Sequence, residues 1–210
     1  MKITDFFDKT FCINLERRSD RWEECVVEFN KYNLSNINRF IAVDGKQLPQ
    51  VTSGFVTPSR LALVLTNIKI LEESISNNYN TILILEDDVE FNDQVLNMDE
   101  YFKVLPKDWD MLYFGGNHNT HMGINPPFII NDKVCKLHTT YSTHCVAINN
   151  KAFNKIYDRL KKCDNALDVI YVELQKSLNV YSFYPMIATQ RVSFSDIENK
   201  EYYGKFSIKN

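Results

Sequence analysis

"TILILEDDVEF" (81–91) runs a stretch of mostly branched apolar residues into three consecutive acids, Glu86, Asp87 and Asp88. The apolar run reads as a buried strand, and its end is where a sheet gives way to a loop. Three adjacent carboxylates there raise one another's pKa and cost stability unless water or a counter-charge neutralises them. A hard divalent cation with oxygen ligands is one such neutraliser. In an extended strand Glu86 and Asp88 share a side while Asp87 faces away, so alternate acids are expected to grip one ion or its bound water. A solvated acidic turn is the competing explanation. A receiver-type magnesium site is excluded, because its acids belong near the domain start and a phosphorylatable Asp should end a later strand, whereas the next suitable strand here ends in "YFGGN".

Working outward, "TFCINL" (10–15) reads as a first strand and "RRSDRWEECVVEFNKY" as a helix with Trp22, Val26 and Phe29 at helical spacing behind an Asp20/Glu23 capping box. "NRFIAV" (38–43) supplies a second strand, and Leu61, Leu65, Ile68, Leu71 and Ile75 mark one face of a helix begun near Pro58. After the acids, 93–105 reads as a helix, 110–116 and 144–149 as strands, 150–162 and 167–178 as helices, and "VYSFYP" (180–185) as a strand. Alternation of strand and helix predicts an α/β fold, with a mainly parallel central sheet flanked by helices and a more mixed C-terminal half. No linker interrupts the chain, so a single domain over 1–210 is expected. Ligands of such sheets gather at the carboxyl ends of strands. "NLERRSDR", "AVDG" and "EDD" all fall there.

The chain has 210 residues, 44% of them hydrophobic, and a formal charge of −3, which provides no general attraction for nucleic acid. The five cysteines (Cys12, Cys25, Cys135, Cys145 and Cys163) have no metal-ligand spacing and several lie in apolar patterns, which suits a reducing compartment. The N-terminal "MKITDFFDKTFCINL" carries acids where a secretory signal has its apolar run, and no stretch is long enough to cross a bilayer. A cytoplasmic protein is expected, and a peripheral membrane contact is compatible with that. Arg17, Arg18 and Arg21 sit where a following helix presents the positive end of its dipole, which is unfavourable for cations unless an anion joins them. Arginine forks suit phosphate, and Asn14 carries an amide able to read a base edge. Surface arginines pairing with Glu16, Asp20, Glu23 or Glu24 are the plainer alternative. Asp44-Gly45 is an ordinary turn signal, Asp168 could simply cap a helix, and His118 and His121 are loop residues in reach of an acceptor.

"INLERRSDRW", "FIAVDGK", "ILILEDDVEF", "YFGGN", "STHCVAINNKAFNKI" and "PMIATQRVSFSDI", in that order, resemble the family 25 glycosyltransferases, which include lipopolysaccharide-building and collagen-type galactosyltransferases. The resemblance implies a GT-A-like nucleotide-sugar-binding fold, a UDP-sugar donor, a glycan or glycoprotein acceptor, a Mn2+ or Mg2+ ion, and inversion at the anomeric carbon. It divides the domain into a nucleotide-binding half (1–115) and an acceptor-binding half (116–210). Asn14, Leu15, Arg17 and Arg21 match its first nucleotide motif, Asp44 and Gly45 its second, and "EDD" its metal motif. Asp87 then joins the donor-binding residues, Asp88 is the direct metal ligand, and Glu86 assists through metal or ribose. Asp196 is expected to complete the metal shell and Asp168 to act as general base. One departure stands out: the Ser-His-containing stretch before the acidic motif is replaced by "SRLALVLTNIKIL". Two other classes fit the acids, a metal-dependent phosphohydrolase and a non-catalytic nucleotide- or glycan-binding module.

Overall fold

The computed structural model describes residues 1–49, 56–118, 126–196 and 200–202. The chain opens with β1 (Lys9–Asn14), α1 (Ser19–Lys31), β2 (Ile37–Ile41), α2 (Pro58–Ser76) and β3 (Thr81–Glu86). It continues through β4 (Val89–Phe91), α3 (Met98–Val104), β5 (Met111–Tyr113), β6 (Phe128–Ile129), β7 (Val134–Lys136) and β8 (Cys145–Asn149). It ends with α4 (Asn150–Leu160), α5 (Leu167–Gln175), β9 (Val180–Phe183), β10 (Ala188–Gln190), β11 (Ser193–Ser195) and β12 (Lys200–Tyr202).

Eight strands form the central sheet in the order β2-β1-β3-β8-β5-β9-β7-β6. β2, β1 and β3 are mutually parallel, with Ile13 opposite Glu86 and Phe40, so all three leave the sheet at the same end. β8 runs against both β3 and β5, β9 returns parallel to β5, and β7 reverses again. Only β8 and β7 oppose the common direction. The parallel first half and mixed second half expected from the sequence are therefore the observed α/β architecture. Among the described residues no helix is long and apolar enough to cross a membrane.

Strand alternation sorts the core into two layers. Cys12, Leu83, Leu85, Leu112 and Ala147 meet Cys25 and Phe29 of α1 and Met98 and Tyr101 of α3 on one face. Phe11, Ile82, Ile84, Met111 and Val146 meet α2, α4 and α5 on the other, through Ile70, Leu71, Phe153, Ile156, Ile170 and Leu174. Each fully buried Leu, Ile or Phe contributes on the order of 1.5–3 kcal/mol, so a one-residue slip of a central strand is prohibitive.

Three local expectations need correction. α1 has no capping box: its N-cap is Arg18, without a side-chain cap, and Asp20 pairs with that arginine instead. The buried face of α2 is Ala62, Val64, Thr66, Asn67, Ile70, Leu71 and Ser74, while Leu61 and Leu65 are half-buried and Ile75 is exposed. Polar residues are tolerated inside because Thr66, Asn67 and Ser74 donate to the carbonyls of Ala62, Leu63 and Ile70 one turn back. The helix expected over 93–105 is split into a 3-10 turn (Asp93–Asn97) and α3.

β10 reaches the sheet's ligand end by packing against the turn after β5, where the amides of Ile187 and Ala188 both donate to the Phe114 carbonyl. A Cβ on Gly115 would stand 1.9 Å from the Ala188 carbonyl oxygen, and backbone cannot step aside as a flexible side chain can. Gly115→Ala is expected to lower the unfolding free energy by about 3 kcal/mol or more, against near-neutrality for Val27→Ala on the exposed side of α1. Urea denaturation of the two variants checks this.

Candidate functional site

The three loaded loops meet in one cleft at the carboxyl ends of β1, β2 and β3. Its lining includes Asn14, Leu15, Arg17 and Arg21 after β1, Val43, Asp44 and Gly45 after β2, and Glu86, Asp87 and Asp88 after β3. Ala62, Leu63 and Thr66 of α2 form an apolar flank, and Gln190, Ser195 and Asp196 close the far side. Residues beyond 116 therefore help to wall the cleft assigned from sequence to the first half.

At its floor lies an ion-paired latch. Arg21, 7% exposed, donates from Nη2 to Asp87 Oδ1 at 2.6 Å and lies 3.2 Å from Asp88 Oδ2. Asn14, 1% exposed, donates from Nδ2 to Asp87 Oδ2 at 2.6 Å and to the Arg18 carbonyl at 3.0 Å. Its Oδ1 accepts from Arg39 Nε and Nη2 at 2.9 and 2.6 Å. Both amide hydrogens and the oxygen are committed, so Asn14 is not free to read a base edge. It fixes β1 to the acidic turn. Burial pushes the Asp87 carboxyl up from its ordinary pKa, and Arg21 and Asn14 counter only part of that rise.

The alternation expected across the acids breaks because β3 ends at Glu86 and the next two residues turn. Asp87 and Asp88 share the Arg21 guanidinium, whereas Glu86 turns aside to accept from Thr143 Oγ1 at 2.6 Å. Glu86 is half-buried as a residue, but its carboxyl group is enclosed. Burial, then the neighbouring Asp88 charge, pushes it up to about 8. Asp88 is different. Its Oδ1 is buried with no hydrogen-bond partner, while Oδ2 faces Arg21 and, at 3.4 Å, Gln190. An orphaned carboxylate oxygen at a cleft wall is a donor that a hard divalent cation could take. Among the described residues there is no preformed cage of three metal-ligating side chains.

A second group of charges rims the cleft. Arg17 Nε donates to Asp44 Oδ2 at 2.8 Å and Nη2 to Asp196 Oδ1 at 2.9 Å. Arg18 also donates to Asp196, and Arg21 Nη1 lies 3.8 Å from the same carboxylate. Asp196, expected in a metal shell, is thus held by three guanidiniums. Burial alone would raise Asp44, but the Lys46 amide and Arg17 outweigh it and hold the carboxyl below its usual range. Gly45 is required where the loop after β2 meets α2, since a Cβ there would lie 2.7 Å from Ser59 Cα.

Asp168 is half-buried in the first turn of α5, accepts from the Val169 amide at 2.9 Å, and is not part of the cleft lining. His118 is buried, bonded to Thr140 Oγ1 at 2.8 Å, and lowered by burial to about 4, so it is neutral. His121 lies outside the described residues. Sequence reasoning passed over Thr143, Arg39 and Gln190, and it left Arg18 in the arginine cluster without a role of its own. Each of the first three lies in or directly beside a quoted motif, but its contact with Glu86, Asn14 or Asp88 is made across the fold and no spacing rule reveals it.

The sequence profile of glycosyltransferase family 25 (LPS biosynthesis protein) matches residues 7–167. An Anopheles gambiae protein named Glycosyltransferase 25 family member is 28% identical over 50% of this chain and 21% of its own length. An Aedes aegypti protein of the same name is 29% identical over 50% of this chain and 20% of its own length. The chain spans about a fifth of the curated relatives it matches. Among solved structures, a mutant of Drosophila beta-1,4-galactosyltransferase 7 in complex with manganese, UDP-Gal and xylobiose aligns at a TM-score of 0.44 and 11% identity, over 94% of this chain and 76% of that one. With a family profile matched across most of its length, the chain belongs to glycosyltransferase family 25.

Proposed function

We propose that the chain is a metal-dependent, inverting glycosyltransferase that moves a hexose from a UDP-sugar to a glycan or glycoprotein hydroxyl. The observation that carries the donor site is the unpartnered, buried Oδ1 of Asp88 in a cleft lined by Arg17 and Arg21, with Arg18 paired to Asp196 beside it. Charge balance supports the cation. The three arginines are already matched against Asp20, Asp44, Asp87, Asp88 and Asp196, so a diphosphate entering alone adds negative charge to a negative cluster.

Asp88 is the protein ligand of Mn2+ or Mg2+ in this proposal, and the bound cation supplies Lewis-acid stabilisation of charge on the departing diphosphate. Arg17 and Arg18 orient the phosphates from the rim, as preorganised donors aimed where charge develops. Arg21 keeps Asp87 and Asp88 in place. Leu15, Val43, Ala62 and Leu63 offer apolar surface to the nucleoside, next to Asp44 and Gly45. The acceptor oxygen attacks the anomeric carbon from the face opposite the diphosphate, the sugar–phosphate bond breaks, and Asp168 takes the hydroxyl proton, with no covalent intermediate. For Asp168 to serve, the acceptor must lie between α5 and the cleft.

Two substitutions test separate parts. Asp88→Asn is expected to abolish the manganese-dependent gain in UDP affinity seen by calorimetry in the parent, with the melting temperature held; an equal gain in both proteins removes Asp88 from the metal site. Asp168→Asn is expected to keep UDP affinity while transfer falls by about 100-fold or more, the usual size of a lost general base. Retained turnover rejects that role. In a screen of nucleotide sugars, release of UDP together with free sugar supports the transferase, whereas release of sugar phosphate or inorganic phosphate favours a phosphohydrolase.

A further inference from the structure

Arg17, Arg18 and Arg21 form one anion seat, and the geometry points to Asp196 as its built-in occupant, a carboxylate standing where a phosphate of the nucleoside diphosphate binds after displacing it. This inference rests on the donor site proposed above and adds to it both a regulation and a role for Arg18. Asp196 Oδ1 accepts from Arg17 Nη2 at 2.9 Å, while Oδ2 accepts from Arg18 and lies 3.8 Å from Arg21 Nη1. Two oxygens spread over three guanidiniums is how arginine forks take a phosphate. The arginines belong to the loop after β1 and the first turn of α1, where the helix dipole makes an anion welcome. Asp196 arrives from 179 residues further along the chain and lines the same cleft.

Its departure is structurally cheap. Asp196 directly follows β11, and β11 with β12 makes a two-stranded ladder of its own, outside the eight-stranded sheet. Moving the carboxylate off the seat therefore breaks no strand pairing of the core. The Arg17 and Asp196 side chains are 34% and 18% exposed, so water partly screens that contact, while Arg18 and Arg21, 20% and 8% exposed, are more enclosed. A phosphate group brings more oxygens and more charge to the same donors. Leaving Asp196 in place beside a bound diphosphate would set like charges against each other, so the two occupants exclude one another.

The test is calorimetric titration of UDP and of inorganic pyrophosphate into chelator-treated parent, Asp196→Asn, Asp196→Ala and Arg18→Gln proteins, each checked by thermal melting. Removing the competing charge is expected to tighten binding of both probes roughly three- to tenfold in the Asp196 variants, the size of a partly exposed ion pair. Arg18→Gln is expected to weaken it by a similar factor. Parent binding with equal or weaker affinity in both Asp196 variants overturns the inference and leaves the donor site standing. No gain without metal, but weaker binding with manganese, overturns it in favour of Asp196 as a metal ligand. Absence of UDP and pyrophosphate binding in every protein, with or without manganese, overturns the donor site and this inference together.

Discussion

The buried contact of Arg21 with Asp87 and Asp88, locked from behind by Asn14, is the constraint on which the cleft depends. It joins α1, the end of β1 and the turn between β3 and β4, three segments that separate wherever the sheet ends. An acid pair facing a shallow pocket would repel itself apart in water. Here one guanidinium spans both acids, and an amide holds the second oxygen of Asp87. Losing either partner strands a charge with little water around it, which costs several times what the intact pair contributes. The backbone carries the same load: Cys25 Sγ donates to the Asp87 carbonyl at 3.1 Å, Arg191 Nη2 donates to that carbonyl at 3.0 Å, and the Arg191 amide donates to the Asp88 carbonyl at 2.6 Å.

That latch divides the three acids by role. Asp87 is paired with Arg21 and Asn14, Glu86 is drawn towards Thr143, and Asp88 keeps a buried oxygen without a hydrogen-bond partner. A motif that runs three carboxylates together is three different chemical environments once folded. The unusual backbone at Ser142, with φ of 71°, lies one residue before the threonine that draws Glu86 away. His144, next along, is buried and held neutral by that burial, so it brings no positive charge to the acids.

Much of the fold was legible because β1, β3 and β8 are apolar runs of strand length and α1, α4 and α5 carry a 3.6-residue period. The meeting of three loops followed from one rule about strand ends. What stayed hidden had physical causes. The inward face of α2 was misjudged because its hydroxyl and amide side chains satisfy themselves on their own helix, which makes polar residues behave as small core residues. The short strands β4, β7 and β10 pair with distant partners, and β6 is a two-residue edge strand on β7, so little in the local sequence announces them. Asn14 was seen as a ligand-reading amide, and its true occupation required Arg39, Asp87 and Arg18, three residues that adjacency in the chain does not join. Spacing also could not say that Asp196 would meet arginines.

The reversed strand β8 also bears on the order in which the molecule can assemble. Among the described residues it is the one strand that joins the β2-β1-β3 ribbon to the β5-β9-β7-β6 ribbon, and it comes from residues 145–149. As the chain emerges during synthesis, the backbone edge of β3 that pairs with β8 must stay bare until roughly sixty further residues are made. A ribosome pausing before that point would leave a sticky template exposed; release of β8 joins β3 to β5, and β9 later adds β7 and β6.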